Sequence, residues 1–79
     1  MKFKDLDVVD TLVPFPEEGI KKGERGTVVA SFSVPAEAYE VEFVNEDGST
    51  RAMFAIKPEH LRRISLSAVS DSGKRTVAV

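Results

Sequence analysis

The sequence predicts a small all-β domain, a closed or partly closed barrel of five antiparallel strands with one short helical turn before the last strand. Apolar and polar residues alternate over several short segments, which is the period-two pattern of half-buried strands. Proline, glycine and Asp-Gly turn signals separate these segments. A chain of 79 residues has room for one domain. Curling its sheet would bury an apolar face that an open sheet would leave wet.

The first strand is predicted over residues 5–13, where β-branched residues are frequent. Its alternation slips at Val8 and Val9, which is compatible with a bulge or with burial on both faces. Residues 14–23 follow as the longest predicted loop. Their two prolines restrict φ and disfavour a helix, and their two glycines permit positive φ.

Strands two and three have the cleanest alternation. Strand two begins at Gly26, and its predicted inward residues are Val28, Ala30, Phe32 and Val34. Strand three follows residues 35–38, and its predicted inward residues are Tyr39, Val41 and Phe43, with Glu40 and Glu42 facing outward. The Asp47-Gly48 pair predicts a tight hairpin turn between strands three and four.

Strand four is predicted from Thr50 to Ile56, with Ala52, Phe54 and Ile56 inward and Arg51, Met53 and Ala55 outward. Proline at the first helical position predicts one helical or 3₁₀ turn over residues 57–61. The last strand is predicted from Arg62 to about Leu66, with Ile64 and Leu66 in the core. The predicted domain spans residues 1–66. Residues 67–79 are expected to form a C-terminal tail, with a weak hairpin as the alternative.

Composition excludes several kinds of site. The chain has no cysteine and one histidine, so a disulfide scaffold, a thiolate zinc site and a cysteine nucleophile are all ruled out. The net charge of −2 gives no electrostatic reason to bind nucleic acid or an anionic membrane. The first residues lack the apolar run of a signal peptide, so we expect a cytoplasmic protein. We expect no cofactor and no metal.

Charge is unevenly distributed along the chain. Residues 31–50 carry five acids and no base, whereas residues 51–63 carry four bases and one acid. If the two segments are neighbouring strands, opposite charges are expected to pair across the sheet, with Arg51 near Glu40 and Glu42.

Residues 16–29, residues 38–43, the Asp47-Gly48 pair and residues 57–61 together resemble a family of small bacterial proteins known as domain of unknown function number four-nine-two-six. The resemblance covers roughly residues 3–66. It implies an SH3-like barrel and no particular activity. The stretch from Gly23 to Val29 is also similar to the glycine-bearing strand entry of KOW-type barrels.

Two features invite a catalytic interpretation. Glu40 and Glu42 share one strand face, but a working acid needs a pocket that raises its pKa, and strand carboxylates beside Arg51 are expected to be solvated and paired. His60 is the only imidazole, and no serine elbow or set of metal ligands accompanies it. We therefore predict no catalytic residues and a protein that is not an enzyme.

The preferred function is a protein-interaction module that binds another protein or a second copy of itself. Phe15 lies between two prolines in the long loop and is either a lid on the barrel or an exposed anchor. A contact patch is predicted from apolar residues that we expect to be exposed: Phe15, Ile20, Val29 and Met53.

The alternative function is a KOW-like nucleic-acid-binding domain. Three basic residues cluster at the end of the long loop of residues 14–23 and just after it, and the last strand could add two more. The predicted phosphate contacts are Lys21, Lys22, Arg25, Arg62 and Arg63.

Overall fold

The computed structural model describes residues 2–64. It has five strands: β1 (Val8–Thr11), β2 (Arg25–Phe32), β3 (Ala38–Val44), β4 (Thr50–Ile56) and β5 (Leu61–Arg63). They form one antiparallel sheet in the order β4-β3-β2-β1-β5. The predicted all-β class with five antiparallel strands is therefore confirmed. The predicted division into a domain over residues 1–66 and a segment over residues 67–79 extends beyond the described residues.

The long loop is more ordered than two prolines suggest. A first 3₁₀ turn spans Pro16–Glu18, because proline suits the start of a helical turn as well as it disfavours its interior. Gly19 ends this turn at a φ of 71°. The Phe15 N–H then donates to the Ile20 carbonyl at 2.8 Å, and the Ile20 N–H donates back to the Phe15 carbonyl at 3.1 Å. The loop therefore folds back on itself instead of running irregularly over the surface.

Strand β2 contains a bulge that reverses its faces. Val28 lies opposite Val41, but Ala30 lies opposite Glu40, so Val29 is an extra residue. Beyond Val29 the inward and outward positions exchange, because side chains alternate with a period of two. Phe32 and Val34 were expected inside, and both are exposed.

Strands β3 and β4 form the predicted hairpin. Gly48 adopts a φ of 90° in the turn, and the Asn45 N–H donates to the Ser49 carbonyl at 2.8 Å. A second bulge occurs in β4, where Phe43 lies opposite Ala52 and Val44 lies opposite Thr50. Arg51 is the extra residue in β4, and it has no partner residue opposite it in β3.

One hydrophobic core joins all five strands. Each strand contributes at least one buried side chain, and two more come from outside the strands. The buried apolar residues are Phe3, Val9, Ile20, Val28, Tyr39, Val41, Phe43, Ile56 and Leu61, with Phe15, Ala52 and Phe54 packed against them. The inward residues predicted for β3 and β4 are confirmed. This single cluster is consistent with an SH3-like barrel, although the hydrogen-bonded ladder remains open between β4 and β5.

The domain ends, as predicted, with a helical turn followed by a short strand. A second 3₁₀ turn spans Pro58–His60 and leads directly into β5. The strand is shorter than predicted, and Ile64 is half-buried beside it. Leu66 and the segment 67–79 lie outside the described residues.

Candidate interaction surfaces

The outer side of β2, β3 and β4 carries exposed apolar side chains. Val29 is 36% exposed, Phe32 42% and Met53 51%. Glu40 and Glu42 alternate with the inward residues of β3 and therefore share this side of the sheet. We call the surface formed by Val29, Phe32, Glu40, Glu42 and Met53 the hairpin face.

The sheet register explains how the hairpin face is built. Glu40 lies between Ala30 of β2 and Ala55 of β4, so small side chains flank its carboxylate. Glu42 lies opposite Met53 and accepts a hydrogen bond from the hydroxyl of Thr50. The centre of the face is therefore acidic, with Val29 and Phe32 on its β2 side and Met53 on its β4 side.

Arg51 does not neutralise these carboxylates. The bulge turns its guanidinium to the long loop, where Nη1 donates to the Gly19 carbonyl at 3.1 Å and Nη2 pairs with Glu24. The expected pairing of the acidic and basic segments is therefore wrong. The ion pairs of the described residues join Arg25 and Arg62 to Asp10, and Arg51 to Glu24.

Two of the four predicted contact residues are not exposed as expected. Ile20 is only 2% exposed, because the folded-back loop directs its side chain into the core. Phe15 is half-buried, with its ring 5.2 Å from that of Phe54 and 6.1 Å from that of His60. Phe15 is thus a lid on the barrel and not a projecting anchor. Val29 and Met53 are exposed as expected and lie on the hairpin face.

The long loop is fastened to β1 through a buried threonine. The Thr11 hydroxyl donates to the Lys21 carbonyl at 2.9 Å and accepts the Glu24 N–H at 3.1 Å. Glu24 in turn accepts the Lys21 N–H at 2.8 Å, and this hydrogen bond, aided by Arg51, holds the pKa of its carboxyl below the ordinary value against the opposing effect of burial. The loop is therefore a fixed part of the barrel.

The predicted phosphate contacts are divided between different environments. Arg25 and Arg62 both lie opposite Asp10, whose residue is 7% exposed. Nε of Arg25 donates to this carboxylate at 3.0 Å, and that hydrogen bond raises the pKa of Arg25. Nη2 of Arg62 approaches the other carboxylate oxygen at 3.5 Å. Lys21, Lys22 and Arg63 are exposed.

Tyr39 ties the segment before β1 to the sheet. Its hydroxyl accepts the Lys2 N–H at 2.8 Å and the Phe3 N–H at 3.1 Å, and it donates to the Glu37 carboxylate. These bonds hold the Phe3 ring edge-on to Tyr39, with centroids 5.1 Å apart. The Tyr39 hydroxyl, followed by the Lys2 N–H, lowers the pKa of Glu37.

A shallow cavity of about 400 Å³ lies beside β5. Its lining combines three apolar residues, Phe3, Leu12 and Leu61, with three basic residues, Lys2, Arg62 and Arg63. Sequence reasoning missed this cavity, because Phe3 and Leu61 are far apart in the chain and hydrogen bonds to Tyr39 and Glu37 hold the first residues against the sheet. The adjacent arginines were the one visible signal.

Over residues 2–64, no three side chains of the kinds that bind metals gather as potential ligands. No helix in that part of the chain has the length and apolar character needed to span a membrane.

Comparison with known proteins places the chain in a family. A family model described as "Domain of unknown function (DUF4926)" matches residues 5–63, a segment that includes all five strands. No curated protein and no solved structure matches the chain. As the resemblance of its sequence predicted, the chain belongs to the family of the domain of unknown function DUF4926.

Proposed function

We propose that this chain is a non-catalytic protein-interaction module and that its hairpin face is the binding surface. The observation that carries the proposal is Phe32, a large aromatic residue that the Val29 bulge brings to the outside of the sheet. Burying such a side chain in the core would stabilise the fold by about 1.5–3 kcal/mol. Phe32, Val29 and Met53 are all exposed on the outer side of the sheet, which is typical of a surface that a partner covers.

Charge defines the chemistry of the partner. Glu40 and Glu42 lie at the centre of the hairpin face, and Arg51, the nearest base on β4, is directed to the loop. A symmetric dimer through this face would bring the same carboxylates together from both copies, which is unfavourable. A partner with both apolar and basic side chains would match the apolar residues and the carboxylates together.

The test uses a defined peptide and not a lysate. We expect a short peptide of alternating lysine and leucine to shift the NMR signals of Phe32, Glu40, Glu42 and Met53 in the full chain. A matched peptide of alternating glutamate and leucine should leave them unchanged. Either no shift at these residues or equal shifts with both peptides would overturn the proposal.

Matched variants locate the contact. Phe32→Ser and Met53→Lys should weaken binding of the lysine-leucine peptide, whereas Val34→Ser should not. Val34 is a suitable control because it is 81% exposed but follows β2 and lies outside the hairpin face. Sedimentation of the same samples measures whether the chain forms a dimer. A dimer that Phe32→Ser or Met53→Lys dissociates would contradict the argument that carboxylate repulsion opposes self-association.

Binding to nucleic acid remains a separate prediction. Asp10 occupies two of the five predicted bases, Arg25 and Arg62, which reduces the positive charge available to phosphates. Retention of single-stranded RNA at low ionic strength, lost on Lys21→Gln with Lys22→Gln, would support the nucleic-acid alternative against the hairpin-face proposal.

A further inference from the structure

A second surface differs in chemistry from the hairpin face and lies at the opposite edge of the strand order. The cavity beside β5 has an apolar floor in which Phe3 and Leu61 are almost fully buried, and Leu12 is partly exposed at its side. Lys2, Arg62 and Arg63 complete the lining, and no acidic side chain of residues 2–64 belongs to it. The site therefore fits a ligand that has an apolar group beside negative charge.

Strand β5 adds backbone groups to this site. The Ile64 N–H donates to the Val8 carbonyl and the Leu12 N–H donates to the His60 carbonyl, both at 2.8 Å. Because hydrogen-bonded and non-hydrogen-bonded pairs alternate in an antiparallel ladder, Arg62 directs its backbone groups to β1. Both backbone groups of Arg63 and the Leu61 carbonyl then face the outer edge of β5, which pairs with no other strand of residues 2–64. The Leu61 N–H donates instead to Pro58 in the 3₁₀ turn.

The side chains of β5 are distributed to suit an extended ligand. Leu61 is buried, whereas Arg62 lies on the opposite face beside Asp10. An added strand also directs successive side chains to alternate faces. One of its side chains would enter the cavity over Phe3 and Leu61, and the next would lie along the outer face near Arg62.

We propose that the β5 edge binds an extended acidic peptide, which adds to the sheet as a sixth strand. An apolar side chain of the peptide fills the cavity. Carboxylates at the neighbouring positions lie on the outer face and pair with Arg62, and carboxylates two positions away lie on the cavity face and pair with Lys2 and Arg63. Main-chain hydrogen bonds supply affinity in this binding mode, and the alternate side chains supply specificity. The segment 65–79 of the chain is a poorer match in charge, because it contains two bases and one acid.

The proposal is independent of the hairpin face, since the two surfaces share no residue. It assigns a different ligand, acidic where the hairpin face requires a basic one. A failure of either proposal therefore leaves the other standing.

The first experiment is an NMR titration of the full chain with a short peptide that has one central valine and glutamates at all other positions. We expect shifts at Phe3, Leu61 and Arg63 and slower solvent exchange of the Arg63 amide. The same peptide with methylated backbone nitrogens keeps its charge and side chains but cannot form the ladder, so it should bind at least about tenfold more weakly. Equal affinity for the two peptides would overturn strand addition.

Variants test the charges. Arg63→Glu should weaken binding of the glutamate-valine peptide by at least about tenfold, because it replaces attraction with repulsion in the cavity lining. Lys22→Glu makes the same change of charge at an exposed position outside the lining and should have little effect. Phe32→Ser should also leave this binding unchanged. If Lys22→Glu weakens binding as much as Arg63→Glu, only net charge matters and the proposed site is wrong.

A small carboxylate distinguishes the peptide from other anionic ligands. Octanoate offers an apolar chain and one negative charge but no backbone groups for the edge of β5. Octanoate that displaces the peptide at comparable concentration would identify the site as one for amphipathic anions and would overturn the peptide proposal.

Discussion

Gly26 of β2 lies so close to Val41 of β3 that a Cβ atom added to the glycine would be 2.7 Å from Cγ1 of the valine. The same atom would be 2.9 Å from the Glu42 carbonyl oxygen and 2.9 Å from Cε2 of Phe43. Val41 and Phe43 are fully buried and the carbonyl belongs to a strand, so none of the three neighbours can move freely. The close approach of β2 and β3 therefore depends on the missing side chain.

Gly26→Ala should lower the free energy of unfolding by about 1–3 kcal/mol, because the added methyl group overpacks the core. Urea denaturation monitored by circular dichroism measures the change. Gly19→Ala is the matched comparison, since a Cβ there meets no atom within 4 Å and only the positive φ opposes it. Wild-type stability in Gly26→Ala would contradict the close packing of β2 on β3.

Phe15→Ala should destabilise the fold by up to about 3 kcal/mol, because the half-buried ring packs against Phe54 and His60. Phe32→Ala makes the same change on the hairpin face and should cost less than about 1 kcal/mol. Thermal unfolding of the two variants compares them directly. Equal losses would mean that Phe15 is not a lid, and our sequence-based expectation of an exposed anchor would return.

Tyr39→Phe should lower the free energy of unfolding by about 1–3 kcal/mol, because it leaves the buried Phe3 N–H without its acceptor. Thr50→Val removes a hydroxyl from an exposed hydrogen bond to Glu42 and should have a much smaller effect. Hydrogen exchange at the Phe3 amide would report the loss locally. Unchanged protection of that amide would argue against the anchor.

Stability should fall in acid. The pKa values of Glu24, Glu37 and Asp47 lie below their ordinary values in the folded chain, each mainly because its carboxylate accepts hydrogen bonds. Such groups stabilise the fold above their unfolded pKa, and the contribution is lost as the pH falls through the folded pKa. Chemical denaturation from about pH 6 to about pH 3 should show this loss. The pH dependence should be shallower in Tyr39→Phe, which removes the first cause of the shift at Glu37.

The arginines beside Asp10 should act non-additively. Arg25→Gln or Arg62→Gln alone should lower the free energy of unfolding only slightly, because both side chains are more than half exposed and the carboxylate keeps one partner. The double variant should cost about 3 kcal/mol or more, since it leaves a largely buried carboxylate unpaired. A double-mutant cycle measures the difference, and additivity within about 0.5 kcal/mol would contradict the shared ion pair.

The sequence predicted best those parts of the fold in which alternation runs without interruption. In β3 no extra residue occurs, so Tyr39, Val41 and Phe43 are buried as their spacing indicates. In β2 the apolar residues continue to alternate past the bulge, and nothing in Val28-Val29-Ala30 reveals which of them is left over. The position of the bulge becomes clear only from the pairing with β3, in which Val28 lies opposite Val41 and Ala30 lies opposite Glu40.

The candidate sites were less predictable, because long-range contacts build them. Ile20 lies between glycine and lysine in a loop, and its burial depends on backbone bonds to Phe15. Arg51 reaches Glu24 because a bulge redirects it. The cavity beside β5 depends on Lys2 and Phe3, which a tyrosine from the middle of the chain holds in place.

The bulge at Val29 divides one strand between two selective pressures. Up to Val28, a substitution alters the packing of the core, so selection acts on it through the stability of the fold. From Ala30 to Phe32, a substitution alters the outer surface of the sheet, so selection acts on it through the molecules that contact this surface. The second half of β2 can therefore change in sequence with little effect on the core, while the first half holds the packing of the sheet.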